Sequence, residues 1–156
     1  MTKGAIAKRN GGFMDRALAE AKAAEQRGEV PIGCVIVHDG QVIAAEGNRT
    51  LEFNDPTAHA EVLAIRKAGQ ILRSQRLNNC DLYVTLEPCP MCAAAISFAR
   101  IRRLYYGAAD KKGGAVESGV RLFSADTCHH KPEVYPSLAE SDCAQLLKHF
   151  FKERRS

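Results

Sequence analysis

Residues 55–92 read DPTAHAEVLAIRKAGQILRSQRLNNCDLYVTLEPCPMC and contain two clusters of residue types that bind metals in proteins. The first is the H-x-E motif His59-Ala60-Glu61, and 26 residues separate it from the second, the P-C-x-x-C motif of Pro88 to Cys92. One imidazole and two thiolates give a zinc ion three protein ligands and an open fourth position, which is typical of catalytic zinc. A water at that position ionises near neutral pH. The sequence therefore predicts catalytic zinc held by His59, Cys89 and Cys92.

Glu61 is predicted to move protons rather than to bind the metal, because three better ligands lie nearby. Other uses of the cysteine pair explain less. A redox pair leaves His59 and Glu61 without a role. A structural zinc site would need a second Cys-x-x-Cys motif, which the sequence lacks.

Helix starts are predicted beside both clusters. Asp55 fits an N-cap, Pro56 fits the first helical position, and Gly69 fits the end of that helix. Pro90 fits the first residue of a second helix, which places Cys89 at its N-terminus, where the helix dipole favours a thiolate. The zinc site is therefore expected to lie across two helix N-termini.

Length and composition predict one globular domain over residues 1–156, with residues 1–11 expected to be frayed. The chain has 156 residues, of which 46% are hydrophobic and 26% are charged. The N-terminus lacks an apolar run, and no stretch approaches 18 apolar residues. We therefore expect a soluble cytoplasmic protein with no membrane association.

The remaining residue pattern predicts an α/β fold. A helix is expected from Phe13 to Arg27, followed by a hairpin of two strands that turns at Asp39-Gly40. Further elements are expected as strands at 81–86, 101–106 and near Val134, and as a final helix from about Ser141. Alternation of strands and helices after a hairpin predicts a three-layer α/β/α domain with a mixed central sheet of about five strands.

Positive charge is concentrated in the last third of the chain. The net charge is +4; residues 1–99 hold eleven Lys/Arg and eleven Asp/Glu, whereas residues 100–156 hold eleven and seven. On the final helix, Lys148, Lys152 and Arg155 fall on one stripe opposite the apolar side. A solvated helix face explains such a stripe in most proteins, and a polyanion partner is the more specific alternative.

Several further segments carry a family resemblance. They are Pro31-Ile32-Gly33, Gly47-Asn48-Arg49, residues 55–61, residues 82–92 and the ending Phe150-Phe151. Together they resemble the bacterial tRNA-specific adenosine deaminases of the cytidine/deoxycytidylate deaminase superfamily, over nearly the whole chain. The resemblance implies a cytidine-deaminase-like fold, one Zn²⁺ per subunit and a homodimer. It also implies hydrolytic deamination of adenosine to inosine at the wobble position of a tRNA, bound through its anticodon stem-loop.

The resemblance also implies roles for matching residues. Glu61 would be the proton shuttle, and Asn48 would hydrogen-bond the nucleoside. The other substrate contacts would be Glu29, Val30, Pro31, Ala60, Asp110 and Lys112. The RNA contacts of the final helix would be Lys148, Lys152, Arg154 and Arg155. Two positions depart from the family pattern: Ala109 replaces a frequent Arg, which puts one backbone contact in doubt, and Cys34 replaces a usual Ala, which is expected to be neutral.

Other functions remain open at this point. A deaminase of a free base or nucleoside, of the guanine or cytosine type, would share the zinc site but would have no use for the basic C-terminal third. A zinc-stabilised RNA-binding module would leave Glu61 unexplained and would more often close the fourth zinc position. A second metal at Cys128-His129-His130 is disfavoured because that run has no fourth partner at ligand spacing.

Overall fold

The computed structural model describes residues 3–155, with side chains described for residues 12–154. Its strands are β1 Gly33–His38, β2 Gln41–Gly47, β3 Cys80–Leu86, β4 Arg103–Ala108 and β5 Glu133–Tyr135. They form one sheet in the order β2-β1-β3-β4-β5. Strand β1 is antiparallel to both of its neighbours, β2 and β3, whereas β4 is parallel to both of its neighbours, β3 and β5. The predicted mixed sheet is confirmed.

Helices cover both faces of this sheet. They are α1 Lys3–Gln26, α2 Ala60–Leu72, α3 Pro90–Ala99 and α4 Glu140–Arg155. Along β1 the side chains alternate: Cys34 and Ile36 join the core under α2 and α3, and Val35 and Val37 join the core under α1 and α4. The central strands are therefore apolar on both faces, which confirms the three-layer α/β/α architecture.

The topology positions the site. Because β3 and β4 are parallel, Leu86 pairs with Ala108 and both strands end at the same edge of the sheet. From that edge, β3 leads into Pro88 and Cys89, and β4 leads into the Gly-containing segment 109–119. We call this segment the 109–119 loop. The cysteine cluster and this loop are thus neighbours, in the place where ligand sites of parallel sheets usually form.

Two predicted helix starts were wrong. Helix α1 begins at Lys3 rather than near Phe13; a glycine inside a helix costs only about 1 kcal/mol and need not end it. Helix α2 begins at Ala60 and ends at Leu72. Asp55 is not its N-cap, because the Asp55 carboxylate accepts hydrogen bonds from the N–H (2.8 Å) and hydroxyl (2.7 Å) of Thr57 and closes a local turn instead.

No helix in residues 3–155 is both long enough and apolar enough to span a bilayer.

Candidate metal centre and active site

The side chains of His59, Cys89 and Cys92 converge where α2 and α3 begin. Nδ1 of His59 lies 3.7 Å from Sγ of Cys89 and 3.5 Å from Sγ of Cys92, and the three ligand atoms lie within 4.8 Å of one another. A tetrahedral zinc ion, with Zn–N of about 2.0–2.1 Å and Zn–S of about 2.3 Å, separates nitrogen from sulfur by roughly 3.6 Å. The donors therefore stand at the spacing that zinc requires.

Both helix starts present a ligand at the N-cap. His59 is the N-cap of α2, Cys89 is the N-cap of α3, and neither side chain makes a capping hydrogen bond to its helix. The ligand atoms are consequently available to a metal. This arrangement confirms that Pro90 opens the second helix and that the site lies across two helix N-termini.

The thiols and the imidazole shift one another's pKa values. A hydrogen bond with Cys92 lowers the pKa of Cys89 to about 4, and the bond between Cys89 and His59 raises the pKa of His59. The bond to Cys89, together with burial, raises the pKa of Cys92. Because thiolates are the metal-binding form of cysteine, metal binding would be accompanied by proton release.

Glu61 lies beside these ligands without belonging to the ligand set. It is the second residue of α2, its side chain is buried, and its carboxyl group interacts with the Cys92 thiol. Burial raises the pKa of Glu61 to about 7. A carboxyl group placed next to a metal but outside its ligands is available to accept and donate protons, which is the predicted role of Glu61.

Asn48 connects β2 to the start of α2. Its Oδ1 accepts a 2.8 Å hydrogen bond from the N–H of Ala60, and its own N–H donates to the carbonyl of Ile32. Arg27 donates to the carbonyl of Asn48 at 3.1 Å. Since Oδ1 is occupied by Ala60, the amide NH₂ group of Asn48 is the part that a substrate can meet. Ala60 itself is fully buried, and its contact with substrate stays a prediction.

Glu29, predicted to line the substrate pocket, holds a loop. Its buried carboxylate accepts hydrogen bonds from the N–H groups of Leu51 (3.1 Å) and Glu52 (2.9 Å) and from the hydroxyl of Thr50 (3.4 Å). Burial opposes ionisation of Glu29, but these bonds outweigh it and lower its pKa below 4.5. Pro31, the other buried member of the predicted pocket, likewise packs inside the protein.

Most of the remaining residues predicted to contact substrate or RNA line two adjoining grooves. One, of about 570 Å³, is lined by Val30, Asp110 and Lys112. The other, of about 420 Å³, is lined by Lys148 and Lys152. The two share the residues Leu86, Ala109, Leu147 and Phe151. We call this continuous surface the basic groove; Leu86, on its wall, lies three residues before the zinc ligand Cys89.

Arg154 is engaged within the protein. Its Nη2 donates a 2.6 Å hydrogen bond to the carbonyl of Gly28, and its guanidinium lies over the ring of Phe150 at 4.6 Å. These contacts tie the end of α4 to the turn before Glu29, and the RNA contact of Arg154 stays a prediction. The side chain of Arg155, the remaining predicted contact, lies outside the described residues.

The Cys128-His129-His130 run makes structural contacts. His130 Nε2 lies 2.6 Å from the carbonyl of Ile101, and Cys128 Sγ donates to the carbonyl of His130 at 3.2 Å and lies 3.5 Å from Ser97 Oγ. Among the residues with described side chains, the one cluster of metal-ligating atoms is that of His59, Cys89 and Cys92. The described side chains of Cys128, His129 and His130 do not form such a cluster.

Glu87 was not assigned a role from the sequence. Its side chain is 2% exposed, and its carboxylate accepts five hydrogen bonds from the 109–119 loop. The sequence feature that indicates a role for Glu87 is a carboxylate placed between an apolar strand and Pro88, because a buried charge requires hydrogen-bonding partners.

Comparison with known proteins finds relatives that match most of the chain. Residues 8–108 match the family model described as the cytidine and deoxycytidylate deaminase zinc-binding region. A tRNA-specific adenosine deaminase of Agrobacterium fabrum is 66% identical over 143 residues, covering 92% of this chain and 94% of the relative. Another of Aquifex aeolicus is 44% identical over 146 residues, covering 92% and 95%.

Solved structures give the same fold. One, from a study of A-to-I editing by tRNA:A34 deaminases at the wobble position of transfer RNA, is 67% identical, covers 87% of this chain and 99% of its own, and has a TM-score of 0.86. A guanine deaminase from Bacillus subtilis is 37% identical, covers 93% of each chain and has a TM-score of 0.63. The chain is thus more similar to the first of these than to the second.

Proposed function

The chain belongs to the zinc-binding cytidine and deoxycytidylate deaminase family and, within it, to the tRNA-specific adenosine deaminases, and on this premise we propose that it converts adenosine to inosine at the wobble position of a tRNA anticodon. The reaction forms a C6–O bond with water, breaks the C6–N bond of adenine and releases ammonia. It is a zinc-dependent hydrolysis, and the metal is held by one imidazole and two thiolates.

The observation that carries the proposal is the basic groove beside the metal centre. Lys111 and Lys112 on the 109–119 loop and Lys148 and Lys152 on α4 are all exposed along it. Lysines attract phosphate oxygens, and the apolar floor formed by Leu147 and Phe151 suits nucleobases. A small neutral base has no use for such a surface, whereas a polynucleotide does.

Each residue of the site has a chemical task in this proposal. Zinc at His59, Cys89 and Cys92 supplies the Lewis acidity that makes water nucleophilic near neutral pH. Glu61 takes a proton from the attacking water, delivers a proton to N1 of adenine and later protonates the departing amino nitrogen. The Asn48 amide NH₂ group donates a hydrogen bond that orients the base. The target adenosine must be unstacked, which an anticodon loop permits at small cost.

A deaminase of free guanine or cytosine is the alternative, and the Bacillus subtilis relative gives it a specific basis. Incubating the zinc-loaded protein separately with total tRNA, adenosine, cytidine and guanine distinguishes the two. We expect inosine in the tRNA, with the free nucleosides and guanine essentially unchanged. Xanthine formed from guanine, with no inosine in tRNA, would favour the alternative.

We also propose a homodimer in the cytoplasm, formed by a single domain that covers the chain. The support for a dimer is Phe98 on α3, which is 75% exposed, and Val120, which is 67% exposed. Two such large apolar side chains are candidates for burial against a second copy. The support for one domain is that the single sheet contains all five described strands. Light scattering of the purified protein measures the subunit number directly.

A further inference from the structure

Glu87 stands between two parts of the site. It follows the last residue of β3 and precedes Cys89, the first cysteine ligand, by two positions. Its N–H donates to the carbonyl of Ala108 at 2.8 Å, and the carbonyl of the next residue, Pro88, accepts from the N–H of Ala115 at 2.8 Å. The backbone of the ligand segment is therefore hydrogen-bonded to the last residue of β4 and to the middle of the 109–119 loop.

The carboxylate of Glu87 fills the interior of that loop. Oε1 accepts from the N–H of Asp110 (3.0 Å) and the hydroxyl of Ser118 (2.9 Å). Oε2 accepts from three consecutive N–H groups, those of Val116 (3.0 Å), Glu117 (2.9 Å) and Ser118 (2.9 Å). Converging N–H groups favour the ionised form.

The glycines of the 109–119 loop pack closely around the Glu87 carboxylate. A Cβ added at Gly114 would lie 2.5 Å from Cδ of Glu87 and 2.5 Å from the carbonyl oxygen of Asp110. Gly119 has a φ of +56°, in the left-handed region, and a Cβ there would lie 2.5 Å from the carbonyl oxygen of Gly114. The glycines let the backbone close tightly over the carboxylate.

Hydrogen bonds also link Glu87 to the exposed part of the loop. Asp110, whose own N–H is bonded to Glu87, accepts hydrogen bonds at its Oδ1 from the N–H groups of Lys112 (3.1 Å) and Gly113 (2.9 Å). Glu87 thus determines where Asp110 and Lys112 stand relative to Cys89. Both residues line the basic groove.

We propose that Glu87 is a positioning residue for substrate binding: its buried carboxylate fixes the 109–119 loop, and hence the RNA-facing side chains of Asp110 and Lys112, relative to the zinc ligands. The proposal rests on the proposed function, because it assigns the loop to the RNA side of the same site. Glu87 touches neither substrate nor metal in this role. It acts on how tightly RNA is held and not on the chemical step.

Glu87→Gln tests this with a minimal change. Glutamine has one accepting oxygen and one NH₂ donor, so in either orientation at least one loop N–H faces a donor instead of an acceptor. In the milder orientation, the N–H that loses its partner is that of Asp110. The matched control is Glu117→Gln, an exposed carboxylate of the same loop that accepts from the Tyr106 hydroxyl at 2.6 Å.

RNA binding is expected to weaken in Glu87→Gln but not in Glu117→Gln. Both remove one negative charge, which alone strengthens binding to a polyanion. Glu117→Gln should therefore bind an anticodon stem-loop as well as wild type or slightly better. Glu87→Gln should raise the half-saturating RNA concentration about tenfold, with the maximal single-turnover rate within about threefold of wild type and one zinc per chain, because a displaced loop weakens ground and transition states alike.

Ser118→Ala is the second variant, should Glu87→Gln fail to fold. It deletes one of the five bonds and should raise the half-saturating RNA concentration two- to threefold, with the maximal rate unchanged. Half-saturation in Glu87→Gln equal to that in Glu117→Gln, or a loss of zinc and maximal rate with unchanged half-saturation, would overturn the proposal. A wild-type protein that leaves the stem-loop adenosine intact would instead contradict the proposed function, on which the proposal depends.

Discussion

The Oδ1 atom of Asn48 accepts a 2.8 Å hydrogen bond from the backbone N–H of Ala60. Ala60 lies between the zinc ligand His59 and the buried Glu61, so this one bond connects the end of β2 to both chemical groups. The side chain of Asn48 is 6% exposed, which shields the bond from water. Asn48 therefore has a structural task in addition to the substrate contact that we propose for its NH₂ group.

Two substitutions separate these tasks. Asn48→Asp keeps an acceptor for Ala60 but loses the NH₂ donor, whereas Asn48→Ala loses both. We expect Asn48→Ala to lower the free energy of unfolding by about 1–2 kcal/mol and Asn48→Asp to lower it by less than about 1 kcal/mol, with deamination falling about 100-fold in both. Chemical denaturation and single-turnover assays measure the two effects. Near-normal activity of Asn48→Asp would remove the NH₂ group from substrate binding.

Glu61→Gln should abolish deamination while leaving the metal in place. The amide cannot accept a proton from water, yet it has nearly the shape of the carboxyl group, and the three metal ligands are untouched. We expect the rate at saturating RNA to fall by at least about 1,000-fold, with zinc content and RNA affinity unchanged. Metal analysis and filter binding provide the controls. If the variant kept most of its single-turnover rate, the proton shuttle would have to be another group.

Replacing either cysteine ligand should remove the metal and destabilise the protein. In Cys89→Ala or Cys92→Ala, two helix starts lose their common anchor, so the melting temperature should fall and become insensitive to a chelator that lowers it in wild type. Cys143→Ala is the control, because Cys143 is buried on the opposite face of the sheet. It should keep one zinc per chain. A full equivalent of tightly held zinc in Cys89→Ala would refute the ligand assignment.

The basic residues of α4 should divide into two classes. Lys148→Gln with Lys152→Gln should weaken RNA binding and flatten the dependence of log K on log salt by about 1.4, from roughly 0.7 per single-stranded phosphate contact. Arg154→Gln should instead lower stability by about 1 kcal/mol, because it loses the bond to Gly28 and the ring of Phe150.

The control for the lysine pair is Lys67→Gln with Lys131→Gln, two exposed lysines outside the basic groove that give the same charge change. An equal loss of affinity in both double variants would mean that RNA senses only the net charge. A reduced salt slope for Arg154→Gln, with unchanged stability, would instead assign Arg154 to the phosphate contacts.

Ionisation of Glu29 should make the free energy of unfolding depend on pH in the acid range. Its folded-state pKa lies below 4.5, so the unfolded chain takes up the proton first as the pH falls. The stabilisation by ionised Glu29 is therefore complete above the ordinary pKa and is lost as the pH drops through the folded-state pKa. The stability difference between wild type and Glu29→Gln should be constant near neutrality and shrink below about pH 4.5. A difference that grows in acid would reverse the assigned direction.

Local chemistry made much of the site predictable. The H-x-E and P-C-x-x-C motifs contain the ligands themselves, and Pro90 marks the start of α3 from the first helical position. The Asp39-Gly40 hairpin was also readable, since both residues have positive φ, at 52° and 76°, as a tight two-residue turn requires. In these cases the residues that determine the structure are adjacent in the chain.

What could not be predicted depends on contacts between distant segments. Arg154 reads as a surface cation until Gly28, 126 residues away, supplies a carbonyl. Glu87 finds its farthest partner, Ser118, 31 residues later. Asp55 was predicted wrongly for a different reason, because an aspartate side chain can either cap a helix or close a turn. The N–H and hydroxyl groups of Thr57 bind the Asp55 carboxylate and stabilise the turn.

The most direct test of the account is a position-resolved measurement of inosine in RNA. The zinc-loaded protein is incubated with an anticodon stem-loop that carries adenosines at the first anticodon position and at the two flanking loop positions, and each position is read by reverse transcription, in which inosine pairs as guanosine. We expect inosine at the first anticodon position, with the flanking adenosines essentially unchanged and with no inosine in the Glu61→Gln variant. Equal conversion at all three positions, or no conversion by a preparation that deaminates free guanine, would contradict the account.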